Sequence, residues 1–205
     1  GPAVIVSVRL ASVLQSDIGS ELIATLSHEL DGLMHSISAR AGVPAGSITR
    51  CTAALHPGQS GWPEVTLAIE LADKLPAREL MDRWQVAASR TAEGQTIYAG
   101  DTVDGDAYFF AEAEGESISR FAVGSVRRIS EGAAIDGGTI PLPRSWQSVW
   151  KGSSADADLV VLATPNFLFA DGRQMFQSAV PELIPPIKSV LQPDVASTLL
   201  SVVLG

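Results

Sequence analysis

The sequence predicts an α+β fold in which an antiparallel, ferredoxin-like sheet carries its helices on one face. Three observations predict it. Across residues 3–113 the order is strand, helix, strand, strand, helix, strand, with one added strand. The helix-like stretch 17–41 keeps its apolar residues on a single stripe, as a helix lying on a sheet must. Asp104-Gly105 separates two alternating runs, and both residues tolerate the positive φ that a two-residue hairpin demands.

Residues 3–11 alternate apolar and polar in the manner of a strand, and Ser16-Asp17 then offers a cap for the helix that runs towards Gly42-Val43-Pro44. At about 100° per residue Ile18, Leu22, Leu26, Leu30, Leu33 and Ile37 share one face. Two strands, 47–56 and 63–71, form a hairpin across the turn-rich residues 56–63. Residues 76–89 read as a second helix, with Pro76 where a first turn tolerates it and Leu80, Met81, Trp84 and Ala88 close together. Strands 95–103 and 106–113 flank Asp104-Gly105.

In the second half, 121–129 reads as a strand, 132–143 as a loop and 143–150 as a short helix. Residues 158–163 are a buried strand, followed by helical stretches 171–179 and 186–191 and an apolar run 198–204. The expected division is a ferredoxin-like module over 3–116 and, over 117–205, either a second α/β module or an extension of the same sheet. Gly1-Pro2 reads as the scar of a cleaved expression tag, so the segment is expected to have been cut from a longer protein.

Composition narrows the function classes. Apolar residues are 46% and charged residues 18% of the 205, a balance that folds rather than stays disordered. The net charge of −9 repels a polyanion, so nucleic acid is not an expected partner. Lysine occurs only at Lys74, Lys151 and Lys188 and asparagine only at Asn166, a usage typical of GC-rich bacterial coding. Cys51 is the single cysteine, which excludes an intrachain disulfide and a cysteine-based zinc site. No apolar run reaches the roughly 18–20 residues that cross a bilayer, so a membrane anchor, if there is one, lies outside this segment.

Each catalytic pattern fails at a named position. His28-Glu29 begins like a zinc-protease helix, but the second histidine would fall at Gly32; His28 and His35 are two turns apart, about 10 Å, so His28, Asp31 and His35 read as a solvated helix face. Ser60 lies in Gly58-Gln59-Ser60-Gly61, which has the wrong glycine spacing for a nucleophile elbow and precedes a strand. Cys51 reads as core packing. No phosphate-cradling glycine loop is present, and neither a metal nor a cofactor is expected.

Two weaker candidates remain. Asp101, Asp104, Asp106, Glu112, Glu114 and Glu116 surround the second hairpin and form an acidic patch for a basic partner; Val103 and Gly105 break the calcium-loop pattern. Arg120, Arg127 and Arg128 are expected to pair with that ribbon. Asn166, Phe167, Phe169 and Arg173 follow the strand 158–163, where α/β sheets often seat ligands, and are the candidate ligand-binding set.

The run Asp158-Leu159-Val160-Val161-Leu162-Ala163-Thr164-Pro165-Asn166-Phe167-Leu168-Phe169, with Ser145-Trp146-Gln147-Ser148-Val149-Trp150 before it, resembles the extracytoplasmic portions of large multidomain bacterial membrane proteins. The resemblance spans residues 140–180, implies a sensor or assembly module on the outer side of a membrane, and transfers no catalytic residue. The expected function is a noncatalytic domain that binds a protein or peptide, with sheet edges as docking sites. The competing expectation is an enzyme, such as a hydrolase, whose site is assembled from residues distant in sequence.

Overall fold

The computed structural model describes residues 2–16, 31–57, 64–100, 105–110, 117–135 and 157–163. In chain order these form β1 (Val4–Val8), α1 (Leu10–Gln15), α2 (residues 31–41), a 3-10 turn (Ala45–Ser47), β2 (Ile48–His56) and β3 (Glu64–Pro76). There follow α3 (Ala77–Trp84), β4 (Ala87–Arg90), β5 (Thr96–Ala99), β6 (Asp106–Phe109), β7 (Ser117–Ser125), α4 (Val126–Ala133) and β8 (Leu159–Ala163). The expected helices 143–150, 171–179 and 186–191, the run 198–204 and the first part of the long helix lie outside the described residues.

The eight strands make one sheet in the order β4-β5-β6-β7-β3-β2-β1-β8, with every neighbouring pair antiparallel. The fold is therefore mixed α and β on an antiparallel sheet, as the composition of elements predicts. The ferredoxin-like pairing is not reproduced. A split βαβ unit places another strand between the two that flank its helix, whereas β1 pairs directly with β2, Val8 opposite Cys51, and the helices α1 and α2 lie in the connection. From β3 the chain crosses to the far edge, and β4 to β7 meander back until β7 pairs with β3. β7 and β8, both from the second half of the sequence, are strands of this same sheet.

Side chains of alternate parity divide the sheet into two faces. On one, Cys51, Leu67, Ile69, Leu71, Tyr108, Ile118, Phe121 and Val123 pack with Leu10 of α1, Ile37 and Ala41 of α2 and Leu80 of α3. The two sequence-predicted helices thus share a face, as expected. On the other, α4 lays Ile129 and Ala133 over Ile97 and Ala107, with Ala122 of β7 beside them. Leu80, Ile118 and Val123 are completely buried. Each such side chain contributes about 1.5–3 kcal/mol relative to exposure.

Local differences from the sequence reading have local causes. The first strand stops at Val8; Leu10 turns into α1 and enters the core. In α2, Ile37 and Ala41 are buried and Met34 half-buried, while Leu33 stands 54% exposed, so the apolar stripe is turned away from that residue. Gly42, at φ +67°, ends α2: its N–H donates to the Ser38 carbonyl at 2.9 Å. The second helix ends at Trp84 because Gln85 adopts the left-handed conformation, and residues 87–90 are then strand β4. The expected strand 121–129 is β7 only as far as Ser125, whose side chain accepts from the Arg128 N–H and caps α4.

Indole packing fixes the corner where α2, α3 and β6 meet. The Trp84 ring stacks on Tyr108 at 4.1 Å between centroids and tilts against Phe121 at 4.9 Å. Its Nε1–H donates to the Ala41 carbonyl at 2.8 Å, satisfying one of the carbonyls orphaned at the end of α2. Tyr108 in turn donates its hydroxyl to the Arg40 carbonyl at 3.0 Å, and burial pushes that phenol up to about 12.

Candidate functional site

β8 is five residues long, Leu-Val-Val-Leu-Ala, uncharged and rich in β-branched side chains that favour a pleated surface. It is held on one side by β1, with Val4 opposite Ala163, Val6 opposite Val161 and Val8 opposite Leu159. The ladder continues one step further, where Arg9 N–H donates to the Asp158 carbonyl at 2.8 Å. Its opposite side is an outer edge of the sheet among the described residues.

Alternation sends the β8 side chains to unlike surroundings. Leu162 is buried against Ile5 on one face. On the other, Leu159 and Val161 are 58% and 51% exposed, beside half-buried Val6 and Val8. An edge strand presents unpaired N–H and C=O groups, and proteins usually blunt such edges with charge, proline or a bulge. The other edge, β4, is exposed throughout and carries Arg90. β8 has no charge or proline between residues 159 and 163.

Several charged groups elsewhere are engaged with one another. Asp106, placed in the acidic patch by sequence, receives two hydrogen bonds from Arg40, at 2.8 Å from Nε and 2.6 Å from Nη2. That carboxylate holds the guanidinium pKa above its usual value. It ties the end of α2 to β6, so Asp106 is a structural partner and not a free member of a patch. Asp101, Asp104, Glu112, Glu114 and Glu116 lie outside the described residues, as do Asn166, Phe167, Phe169 and Arg173, together with His28 and Ser60. Asp31 and His35 are exposed on α2, as the helix phase predicts.

The arginine pair has partners of its own among the described residues. Arg127 and Arg128 close on Glu64 of β3, at 2.6 Å and 2.8 Å, and on Glu131 one turn along α4. The Arg128 fork further donates to the Pro57 carbonyl at 3.1 Å. Hydrogen bonds from Arg127 and then Arg128 hold the Glu64 carboxyl below its usual range. Opposite Glu64 in the hairpin stands His56, whose Nδ1 is buried without a hydrogen-bond partner. Desolvation, and then the Arg128 charge, push that imidazole down from 6.5. This constellation clamps α4 to the β2–β3 hairpin.

An open groove of about 320 Å³ lies where β1 passes into α1, lined by Arg9, Ser12, Thr49, Arg50 and Glu70. Arg50 and Glu70 stand 3.6 Å apart across it, at ion-pair rather than hydrogen-bond distance. Cys51 is buried in the core, where desolvation raises its thiol to about 11, so it is not an activated nucleophile at neutral pH. Among the described residues no three His, Cys, Asp or Glu side chains are grouped to hold a metal ion, and no helix is long and apolar enough to cross a membrane.

The exposed apolar edge was reachable from the sequence only as a buried strand. Its position outside β1 depends on a pairing between residues far apart, which no local pattern encodes.

No protein-family model matches the chain, and no curated protein matches it. A solved structure, crystal form IV of TP0453, is similar at a TM-score of 0.39 and 14% identity, over 78% of this chain. The chain spans 60% of that protein's length, and at this level of similarity neither fold family nor function is carried across.

Proposed function

We propose that this chain is a noncatalytic protein-binding module that docks an extended segment of a partner along the outer edge of β8. One observation carries the reading: an uncharged five-residue edge strand that leaves Leu159 and Val161 more than half exposed. Addition of a strand there satisfies the edge's main-chain groups and covers both side chains. The resemblance of residues 140–180 to extracytoplasmic portions of bacterial membrane proteins supports a sensor or assembly role on the outer side of a membrane.

The test is selection from a displayed library of peptides, repeated with Val161→Lys and with Ser89→Lys on the opposite edge. The wild type and Ser89→Lys select the same peptides, and Val161→Lys selects none of them. Peptides retained equally by Val161→Lys would reject β8 as the docking edge.

A further inference from the structure

We infer that the segment received by β8 is apolar at alternate positions and basic at its flanks, an inference that rests on β8 being the docking edge. The apolar requirement follows from the pleat. Leu159 and Val161 point to the same face, two residues apart, with Val8 and Val6 directly inward of them. A strand laid alongside places every second side chain within about 4.5–5.5 Å of this pair, where β-branched or aromatic residues add contact and polar ones leave it wet.

The basic requirement follows from charge. Exposed Asp158 sits immediately before β8 and its carbonyl already belongs to the ladder with Arg9, so the acid is held at the end of the edge. The whole chain carries −9. A field of that sign speeds the approach of a cationic segment and slows that of an anionic one.

A second copy of the chain fits less well. Pairing β8 with itself joins two bodies of −9 through an edge of five residues, short of the roughly 1,000 Å² that a specific protein interface needs. A single extended peptide needs no such area, because main-chain hydrogen bonds supply its affinity and the apolar pair its register.

The experiment uses three synthetic peptides with blocked ends and the full chain. The first has a Thr-Val-Thr-Val-Thr core with two lysines at each end, the second the same core flanked by glutamates, and the third the lysine flanks with serine for valine. Binding is followed by fluorescence anisotropy at low and at physiological salt, on the wild type, Val161→Lys and Asp158→Asn. Circular dichroism verifies that both variants are folded, as substitutions at exposed positions allow.

The lysine-flanked peptide binds, loses all measurable affinity with Val161→Lys, and weakens roughly fivefold with Asp158→Asn or with added salt. The serine peptide does not bind. Equal binding of the lysine and glutamate peptides, both lost with Val161→Lys, would overturn the basic flank and leave the edge standing. Equal binding of the valine and serine peptides would overturn the apolar requirement. Failure of all three, together with a concentration-dependent dimer that Val161→Lys dissociates, would replace the peptide by a second copy; failure of all three by a monomer would remove β8 as a docking edge.

Discussion

Replacing Gly42 with alanine tests the corner that joins α2 to α3. Gly42 lies at φ +67°, and a Cβ built there falls 2.7 Å from Cδ1 and from Nε1 of Trp84. Trp84 has little room to yield, since one side of its ring stacks on Tyr108 and its Nε1 is bonded to Ala41. The left-handed backbone alone costs an L-residue about 1–2 kcal/mol, and overpacking adds about 1–3 kcal/mol. The expected loss is about 2–5 kcal/mol in urea titrations with an unchanged m-value. Gly94→Ala separates the two contributions, because Gly94 also has a positive φ, +83°, but nothing lies within 4 Å of its added Cβ. It should cost only the backbone part, about 1 kcal/mol. Gly132→Ala, in α4 with open space around it, should raise stability by roughly 0.5–1 kcal/mol. Trp84→Ala made together with Gly42→Ala should cost less than the sum of the two single losses, because removing the indole removes both atoms that clash. Equal costs for Gly42→Ala and Gly94→Ala would refute the claim that the indole is fixed against the end of α2.

Three further outcomes follow from the same geometry. His56 has its folded pKa below the ordinary 6.5, so the unfolded chain takes up the proton first; stability is full above pH 6.5 and falls as the pH drops from there towards the folded value. Urea midpoints between pH 7.5 and 5 should show that slope, and His56→Gln should flatten it; Glu64, held below its ordinary 4.5, adds its own loss only at more acid pH. Cys51 should resist a thiol-reactive disulfide at pH 8 in the native protein and react within seconds in denaturant, and fast native labelling would contradict its burial. A double-mutant cycle over Arg40→Gln and Asp106→Asn should return a coupling of about 1 kcal/mol, since both partners are less than a third exposed and the contact is bidentate; a coupling of zero would make the pair incidental.

What the sequence revealed was local. β2, β3 and β8 stand near where alternating or continuous apolar runs place them, and Ile37 and Ala41 close the helix that ends at Gly42. The β3 strand proved longer, to Pro76, because it bulges between Glu70 and Leu75 and then continues along β7, a shift that alternation counted from its start does not foresee. The strand expected at 121–129 lies four residues earlier, at Ser117–Ser125, its end misplaced because Val126 and Ile129 are β-branched; the Ser125 cap and the i, i+4 pair Ile129 and Ala133 were the available signals of α4. Nothing in the residue types marked the stop at Gln85, which is neither glycine nor asparagine. Strand order and ion pairs escaped for a common reason. Arg40 finds Asp106 and Arg128 finds Glu64 across long stretches of chain, so the acidic patch and the basic pair could be seen but not their partners.

The position of β8 also sets an order of events during folding. β2 and β3 meet through a hairpin and β4 to β7 through successive neighbours, whereas Val8 must find Leu159 after nearly the whole described chain has been made. Long closures cost only slowly increasing entropy, about 0.6 kcal/mol for each doubling of the loop, but they slow the search. Until β8 arrives, β1 is itself an edge strand, Val-Ile-Val-Ser-Val, with no charge in it. The nascent protein therefore passes through an interval in which β1 is the uncovered edge, and β8 then takes that place. Amide exchange at Val160 and Val161 should then be faster than at Leu67 and Ile69, and variants that loosen β8 should aggregate on refolding before they lose measurable stability.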